Sequence, residues 1–166
     1  MILNKLIPPN ELSNEDYHKS KGISASTLKM CKINPDYYKL KHKLQSIDSI
    51  ALDKGTCTHH AILESKTFNW IDFNFNAKDE ELLKVMINNS KVMFPELKTS
   101  LNEHSIFVKF KNVIKKARID AIVKLYGNLY PTDYKTSKCS TPEEFKSESY
   151  KLDYDSQAAW NYDLLV

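Results

Sequence analysis

The sequence is short of glycine and arginine, and this bias limits what its charge can indicate. It has three glycines in 166 residues, and Arg118 is the only arginine among its 24 basic residues. Together with 13 asparagines, this composition is typical of an AT-rich coding sequence, so the abundance of lysine carries little functional weight. The net charge of +3 permits nucleic acid binding without arguing for it. The single arginine is the more informative cation.

Cysteine is also scarce, and its spacing excludes several classes of site. Cys31, Cys57 and Cys139 are odd in number and far apart, which argues against a disulfide framework and against a zinc site built on a C-x-x-C pair. Free thiols of this kind are typical of a reducing compartment. We therefore expect three free cysteines in a cytoplasmic protein.

Long hydrophobic runs are missing as well. No apolar stretch approaches the roughly 18–20 residues that span a bilayer. The first 17 residues contain two prolines and three acidic residues, which argues against a secretory signal. Yet 42% of all residues are hydrophobic and 11% are aromatic, which excludes general disorder. Because 166 residues is the size of one domain, we expect a single cytosolic domain over residues 1–166 with no membrane segment.

The predicted elements run in the order helices, three strands, helices. Helices are predicted at residues 23–34, 35–44, 57–64 after an opening Gly55, 78–92, from Thr141 as N-cap, and 154–165. Strands are predicted at residues 105–110, 117–126 and 129–136, with Gly127 and Asn128 as a two-residue hairpin turn. Apolar faces at helical spacing are predicted at Cys57, Ala61 and Leu63, and at Leu82, Val85, Met86 and Asn89. This order indicates an α+β fold.

The predicted hairpin carries an acid on each strand, Asp120 and Asp133, with Lys135 two residues past the second. Residues two apart on a strand share a face, so Asp133 and Lys135 lie on one side, and hairpin pairing can bring Asp120 beside them. Two carboxylates on one face bind Mg²⁺ or Mn²⁺, and a lysine between them can activate water or stabilise a phosphate in the transition state. The pattern predicts phosphodiester hydrolysis.

The spacing of Asp133 and Lys135 is weak evidence by itself. An acid two residues before a lysine occurs four times in the chain, and about three occurrences are expected by chance at this composition. This copy alone lies on a predicted strand that pairs through a tight turn with another acid-bearing strand. The alternative is a half-exposed hairpin whose charges face water.

Histidine and amide side chains add two further signals. His59 and His60 are adjacent, so about 100° of helix separates them, and spacing favours His60 as the partner of Glu64. Gln157 lies four residues before Asn161, which gives an amide face suited to contacts with phosphate or with a ligand-bound water. The alternatives are surface histidines and an exposed helix face.

Together these segments resemble the PD-(D/E)XK nuclease superfamily, and more closely its RecE-like branch of phage and prophage exonucleases, also called exodeoxyribonuclease VIII. Residues 23–28 and 34–37 resemble the family's opening helix, residues 55–64 its G-x-A-x-H-x-x-L-L-E segment, and residues 103–107 its E-x-S-V-F strand. Residues 117–120 and 133–136 resemble the two metal-and-lysine motifs, and residues 154–159 the closing Y-x-x-Q-A-A helix. In this register His59, not His60, is the catalytic histidine.

The resemblance implies a restriction-endonuclease-like core, with a mixed central sheet flanked by helices. It implies that Asp120, Asp133 and His59 hold Mg²⁺ or Mn²⁺, that Lys135 acts on the water or phosphate, and that Gln157 orients the substrate or the site. Further support is expected from Glu64, Glu103, Arg118 and Tyr154. Members of the family degrade linear duplex DNA from an end, in recombination or repair. They often form rings beside a single-strand annealing protein, so a homo-oligomer and such a partner are expected, in a bacterial host of phage or prophage DNA.

Two departures from the family pattern bear on activity. Asn161 stands where the family often has the tyrosine of Q-x-x-x-Y, and Tyr162 comes one residue later. The chain also ends at Val166, where the family core has one further strand, so we expect a nuclease domain that lacks it. Iron–sulfur members are excluded because three cysteines cannot supply four ligands. The alternatives are a weak or inactive module that binds DNA ends or a recombination partner, and an endonuclease or single-strand nuclease.

Overall fold

A four-stranded sheet lies at the centre of the fold, in a computed structural model that describes residues 5–40 and 49–165. Its strands are β1 (Leu6–Ile7), β2 (Leu101–Phe110), β3 (Val113–Leu125) and β4 (Asn128–Thr132), and they lie side by side in that order. Each neighbouring pair is antiparallel. The α+β class is confirmed. The sheet is antiparallel where a mixed one was expected, because tight turns join β2, β3 and β4 and such turns can connect only antiparallel neighbours.

Helices flank this sheet. They are α1 (Asn14–Lys19), α2 (Ala25–Ile33), α3 (Tyr37–Leu40), α4 (Ile50–Leu63), α5 (Ala77–Met93), α6 (Pro142–Lys151) and α7 (Tyr154–Leu165), with 3₁₀ turns at Trp70–Asp72 and Pro95–Lys98. The predicted cap of α6 is confirmed, since the Thr141 hydroxyl accepts the N–H of Glu144 at 3.2 Å. In the part of the chain that the structure describes, no helix is long and apolar enough to cross a membrane.

Several elements differ from the sequence prediction, which contains no helix at residues 14–19 and starts β2 and β3 four residues later than the structure does. Helix α4 begins at Ile50 rather than at Gly55, because the Ser49 hydroxyl caps it by accepting the N–H of Leu52 at 3.2 Å. Helix α3 covers the middle of the predicted helix at residues 35–44, and residues 41–44 lie outside the described residues. Strand β1 comes before all the helices and is too short for an alternating pattern to indicate it.

The third predicted strand is shorter than expected. Strand β4 ends at Thr132, so Asp133 and Lys135 lie beyond the strand rather than on it. At this point the backbone N–H of Tyr134 donates to Oδ2 of Asp120 at 2.9 Å. The side chain of Asp120, rather than a backbone carbonyl of β3, therefore accepts the hydrogen bond from this N–H. The chain stays beside β3 here although it is no longer part of β4.

Two buried clusters hold the helices on the sheet. The first joins α4 and α5 to β3, and its buried members are Ala61, Ile62, Leu63, Ile87, Leu97, Ala121 and Val123. The second joins α7 to β2 and β3 through Ile106, Ala117, Ile119, Ile122 and Leu164. The predicted buried face of α4 is confirmed at Cys57, Ala61 and Leu63. Each large aliphatic side chain contributes about 1.5–3 kcal/mol when buried, so these clusters fix α4 and α7 against the strands.

Helix α5 buries a different face from the one its pattern indicates. Leu83 and Ile87 are buried, whereas Leu82 is 54% exposed and Val85 is 51% exposed. Both pairs have helical spacing, so periodicity alone cannot tell which face meets the core. The predicted helix at 78–92 is therefore confirmed, while the predicted apolar face of that helix lies at the surface.

A buried lysine ties the N-terminal segment to the sheet. The ammonium group of Lys116, on β3, donates to the backbone carbonyls of Tyr17 at 2.7 Å and Ser20 at 2.9 Å. These carbonyls lie at the end of α1, where the helix dipole favours a cation. The Tyr17 ring packs 4.5 Å from the same ammonium, and burial raises the pKa of Tyr17 to about 12. The end of α1 is thus fixed next to β3.

Two alanine substitutions test which face of α5 is packed. Leu83→Ala removes a side chain that is 1% exposed, and we expect the free energy of unfolding to fall by about 2–5 kcal/mol. Leu82→Ala changes the exposed face, and we expect a change within about 0.5 kcal/mol. Urea unfolding followed by circular dichroism measures both. Equal losses in the two variants would contradict the assignment of faces.

Candidate metal centre

Three carboxylates lie in one row across β2, β3 and the end of β4. The pairs on either side of Glu103, namely Asn102 with Ala121 and His104 with Ile119, set Glu103 opposite Asp120. Extending the β3–β4 register by one residue past the pair of Ala121 and Thr132 sets Asp133 opposite Asp120 from the other side. Directly opposite residues of antiparallel strands have Cβ atoms about 4.5–5.5 Å apart. The predicted approach of Asp120 and Asp133 is therefore confirmed, and Glu103 joins them.

Helix α4 places His59 over this row. Its Nε2 lies 3.1 Å from Oδ2 of Asp120, and its Nδ1 lies 3.4 Å from Oε1 of Glu103. One ligand atom from each of these three residues lies within 4.8 Å of the others, which is the spacing of ligands around one metal ion. His60 faces elsewhere, since its Nε2 lies 3.0 Å from the Thr67 hydroxyl. The structure thus brings His59, not His60, to the acids, and it groups Glu103 with His59 and Asp120 where Asp133 was expected.

Glu103 is held in an unusual backbone conformation near the start of β2. Its φ is 56°, in the left-handed region, which costs a non-glycine residue about 1–3 kcal/mol. Its Oε2 accepts a hydrogen bond from Nε of Arg118 at 2.8 Å. Among the described residues, its buried Oε1 has no hydrogen-bond donor. A strained residue that aims an unsatisfied carboxylate oxygen at His59 and Asp120 fits a cation ligand.

Arg118 fixes Glu103 from the far side of the row. Besides its bond to Glu103, its guanidinium donates to the Leu12 carbonyl at 3.1 Å and to the Ser105 hydroxyl at 3.3 Å. The arginine and glutamate side chains are each 9% exposed, so this is a buried pair whose geometry is set by additional hydrogen bonds. Arg118, the only arginine of the chain and one of the expected supporting residues, therefore contacts Glu103 directly.

Asp133 is held by two donors. Nζ of Lys135 lies 2.6 Å from its Oδ2, and Nε2 of Gln157 donates to its Oδ1 at 2.8 Å. Gln157 reaches this point from α7. The expected proximity of Asp133, Lys135 and Gln157 is thus seen in the structure. Asp120 and Asp133 have side-chain exposures of 16% and 19%, so the alternative of hairpin charges that face water is not what the structure has.

The electrostatics of the row favour an added cation. Burial raises the pKa of Asp133, and the neighbouring Asp120 carboxylate raises it further against the effect of Lys135. Burial also raises the pKa of Glu103, although Arg118 opposes this. Burial lowers the pKa of His59, but Asp120 and Glu103 outweigh that effect and leave it raised. Burial thus makes the ionised Glu103 and Asp133 carboxylates costly without a counter-charge, and oxygen-rich sites of this kind suit Mg²⁺ or Mn²⁺.

The remaining expected residues lie around a cleft of about 1070 Å³ that is lined by Glu103, Asp120 and His59. Glu64 ends α4 and lines the cleft. The Tyr154 ring also lines it, with its centroid 5.4 Å from Nζ of Lys135. Asn161 lines it and is 4% exposed, so an exposed amide face is wrong at this position. Tyr162 is 53% exposed, in accord with its displaced position in the Q-x-x-x-Y pattern.

Two residues of the site were not expected from sequence. Tyr134 places its ring against His59, with centroids 6.5 Å apart, and its hydroxyl lies 3.0 Å from the hydroxyl of Ser90 on α5. The signal available for Tyr134 was its place between Asp133 and Lys135; its side chain lines the cleft and also packs on the buried cluster that joins α4, α5 and β3. Ser90 comes from a helix 44 residues earlier and carried no local signal.

A binding measurement tests the metal centre. We expect Mn²⁺ to raise the melting midpoint of the protein, because a ligand at 100 times its dissociation constant stabilises the folded state by about 2.7 kcal/mol. Glu103→Gln should weaken Mn²⁺ binding about tenfold or more, because it removes a charged ligand. Glu143→Gln, at an exposed position on α6, is the matched control. Equal Mn²⁺ affinity in the wild type and Glu103→Gln, measured by calorimetry, would rule out Glu103 as a ligand.

Comparison with known proteins adds no relative to this geometry. The chain matches no family model, no curated protein and no solved structure. The family resemblance of its motifs therefore stays a prediction. The residues of the cleft and their chemistry are therefore what indicate a function.

Proposed function

We propose that this protein is a metal-dependent deoxyribonuclease that hydrolyses phosphodiester bonds of linear duplex DNA from an end. One observation carries the proposal: Glu103, Asp120, His59 and Lys135 line a single cleft, and Asp133 lies against Lys135 at 2.6 Å. Carboxylate oxygens with one imidazole suit Mg²⁺ or Mn²⁺. A divalent cation bound there would supply charge stabilisation at the phosphate and would lower the pKa of a nearby water.

Lys135 and Gln157 have separate roles in this proposal. Lys135 lies against Asp133 at 2.6 Å and next to the cleft, where its ammonium can donate to a phosphate oxygen or to the attacking water. Gln157 occupies the other oxygen of Asp133 and so fixes the orientation of that carboxylate. His59 contacts both Asp120 and Glu103, which favours a role in holding the metal site together.

The order of elements supports the same proposal. Helix α4 with His59 comes before the antiparallel strands β2, β3 and β4, and α7 with Gln157 comes after them, with α5 and α6 as additional helices in between. The resemblance to PD-(D/E)XK nucleases implies the core order α-β-β-β-α-β, and α4, the three strands and α7 can be matched to its first five elements. The restriction-endonuclease-like fold, the end-dependent action on duplex DNA, the work in phage-type recombination or repair, the homo-oligomer and the annealing partner all belong to the proposal through that resemblance. The net charge of +3 is compatible with DNA as the substrate.

Substitution at the D-x-K pair tests the activity. We expect Asp133→Asn and Lys135→Ala each to slow Mg²⁺-dependent loss of linear duplex DNA by about 10²–10⁴-fold, because groups that act on a proton or on transition-state charge contribute on that scale. Lys146→Ala is the matched control: Glu144 and Lys146 have the same spacing but lie on the exposed part of α6. Release of acid-soluble nucleotides from end-labelled DNA measures the rates.

The same assay separates the alternatives. Unchanged digestion by Asp133→Asn and Lys135→Ala would exclude this site as the source of activity. A wild-type protein that shifts DNA without degrading it in Mn²⁺ would favour the DNA-end-binding module. Nicking of closed circular DNA would favour an endonuclease over an end-dependent enzyme.

A further inference from the structure

Asp133 and Lys135 lie where the sheet no longer holds the chain. The last ladder pair between β3 and β4 joins Ala121 to Thr132. Residues 133–135 continue beside β3 without belonging to the strand. The two groups of the D-x-K pair therefore depend on contacts other than the ladder for their place in the cleft.

Tyr134, between them, makes contacts in three directions. Its backbone N–H donates to Oδ2 of Asp120 at 2.9 Å, and its hydroxyl lies 3.0 Å from the hydroxyl of Ser90. Its ring lies against His59 in an edge-to-face arrangement, with centroids 6.5 Å apart. The same ring packs on the buried cluster that joins α4, α5 and β3. One residue thus contacts two of the proposed metal ligands and is covalently joined to the other two groups of the site.

We propose that Tyr134, fixed by Ser90 of α5, is the positioning residue of the metal centre. This inference rests on the proposed function and deepens it. Since Tyr134 is covalently joined to both Asp133 and Lys135, the packing of its ring on the buried cluster and the contact of its hydroxyl with Ser90 hold these two neighbours beside Asp120. Its N–H keeps Asp120 in place, and its ring limits the rotation of His59. Helix α5 therefore acts on the metal centre indirectly, through the hydrogen bond between Ser90 and Tyr134.

The contact between the hydroxyls of Tyr134 and Ser90 can be removed with the least disturbance of packing. Tyr134→Phe keeps the ring and its packing but removes the phenol oxygen. Ser90→Ala removes the same hydrogen bond from the other side, and Ser90→Thr keeps a hydroxyl there. Tyr126→Phe is the matched control, because Tyr126 is 99% exposed in the β3–β4 turn. If both substitutions have the same effect, the cause is the loss of the hydrogen bond and not a packing defect at one of the two residues.

Hydrogen exchange without metal is the first measurement. We expect the amide of Tyr134 and its neighbours at 133–136 to exchange about tenfold faster in Tyr134→Phe and in Ser90→Ala, because a loosened anchor weakens the bond to Asp120. Exchange in Ser90→Thr and Tyr126→Phe should match the wild type. Unchanged exchange in both test variants would overturn the proposal, whatever the protein does to DNA.

Mn²⁺ affinity is the second measurement, and a merely structural role would leave it unmoved. We expect both test variants to bind Mn²⁺ about tenfold more weakly, the usual scale for groups that orient ligands. The double variant should lose no more than either single variant, because both remove one hydrogen bond. The melting midpoint without metal should stay within a few degrees.

The two measurements keep failure of the inference apart from failure of the proposed function. Faster exchange with unchanged Mn²⁺ affinity would overturn the positioning role while leaving the metal centre in place. Faster exchange in a protein whose wild type neither binds Mn²⁺ nor digests DNA would support the anchor and overturn the nuclease proposal. Faster exchange with weaker binding, restored by Ser90→Thr, is the expected result.

Discussion

Repulsion among Glu103, Asp120 and Asp133 is the interaction that the arrangement around the cleft must offset. The three carboxylates lie in one cross-strand row with little exposure to water, and like charges at such positions destabilise a sheet. Each acid is met by a different partner: Arg118 donates to Glu103, His59 lies against Asp120, and Lys135 and Gln157 hold Asp133. These partners come from α4, α7, β3 and the segment after β4. The site is therefore a product of the whole fold rather than of one motif.

The N-terminal segment belongs to this balance as well. Arg118 and Lys116 alternate on β3 and both donate to backbone carbonyls of residues 12–20. Because an uncompensated buried cation would be costly, the carbonyls of this segment supply acceptors that both side chains need. In return, two strong donors fix the segment at the edge of the cleft. The two positions on β3 thus connect the entrance of the cleft to its acidic row.

Local patterns in the sequence predicted the hairpin, the helices from α2 onward and the approach of Asp120 to Asp133, because each depends on residues close together in the chain. The position of Glu103 in the site could not be predicted, because it depends on the register of β2 against β3 and on a left-handed φ that a glutamate does not indicate. The packed face of α5 was not predictable, since Leu82 and Leu83 begin apolar faces with equal periodicity and only the tertiary contacts choose between them. The contact between Ser90 and Tyr134 lies 44 residues apart and has no local signature.

Backbone strain at Glu103 is coupled to two other roles of its side chain. Glycine would relieve the left-handed conformation at that position, and an apolar residue would remove a carboxylate oxygen that lacks a donor among the described residues. Either change would also leave the guanidinium of Arg118 without the carboxylate that accepts from it, and breaking such a pair is costly. Either change removes as well the group that completes the cluster with His59 and Asp120. A substitution at Glu103 therefore acts on the folding and on the cation site together, so the two properties cannot be adjusted independently at this residue.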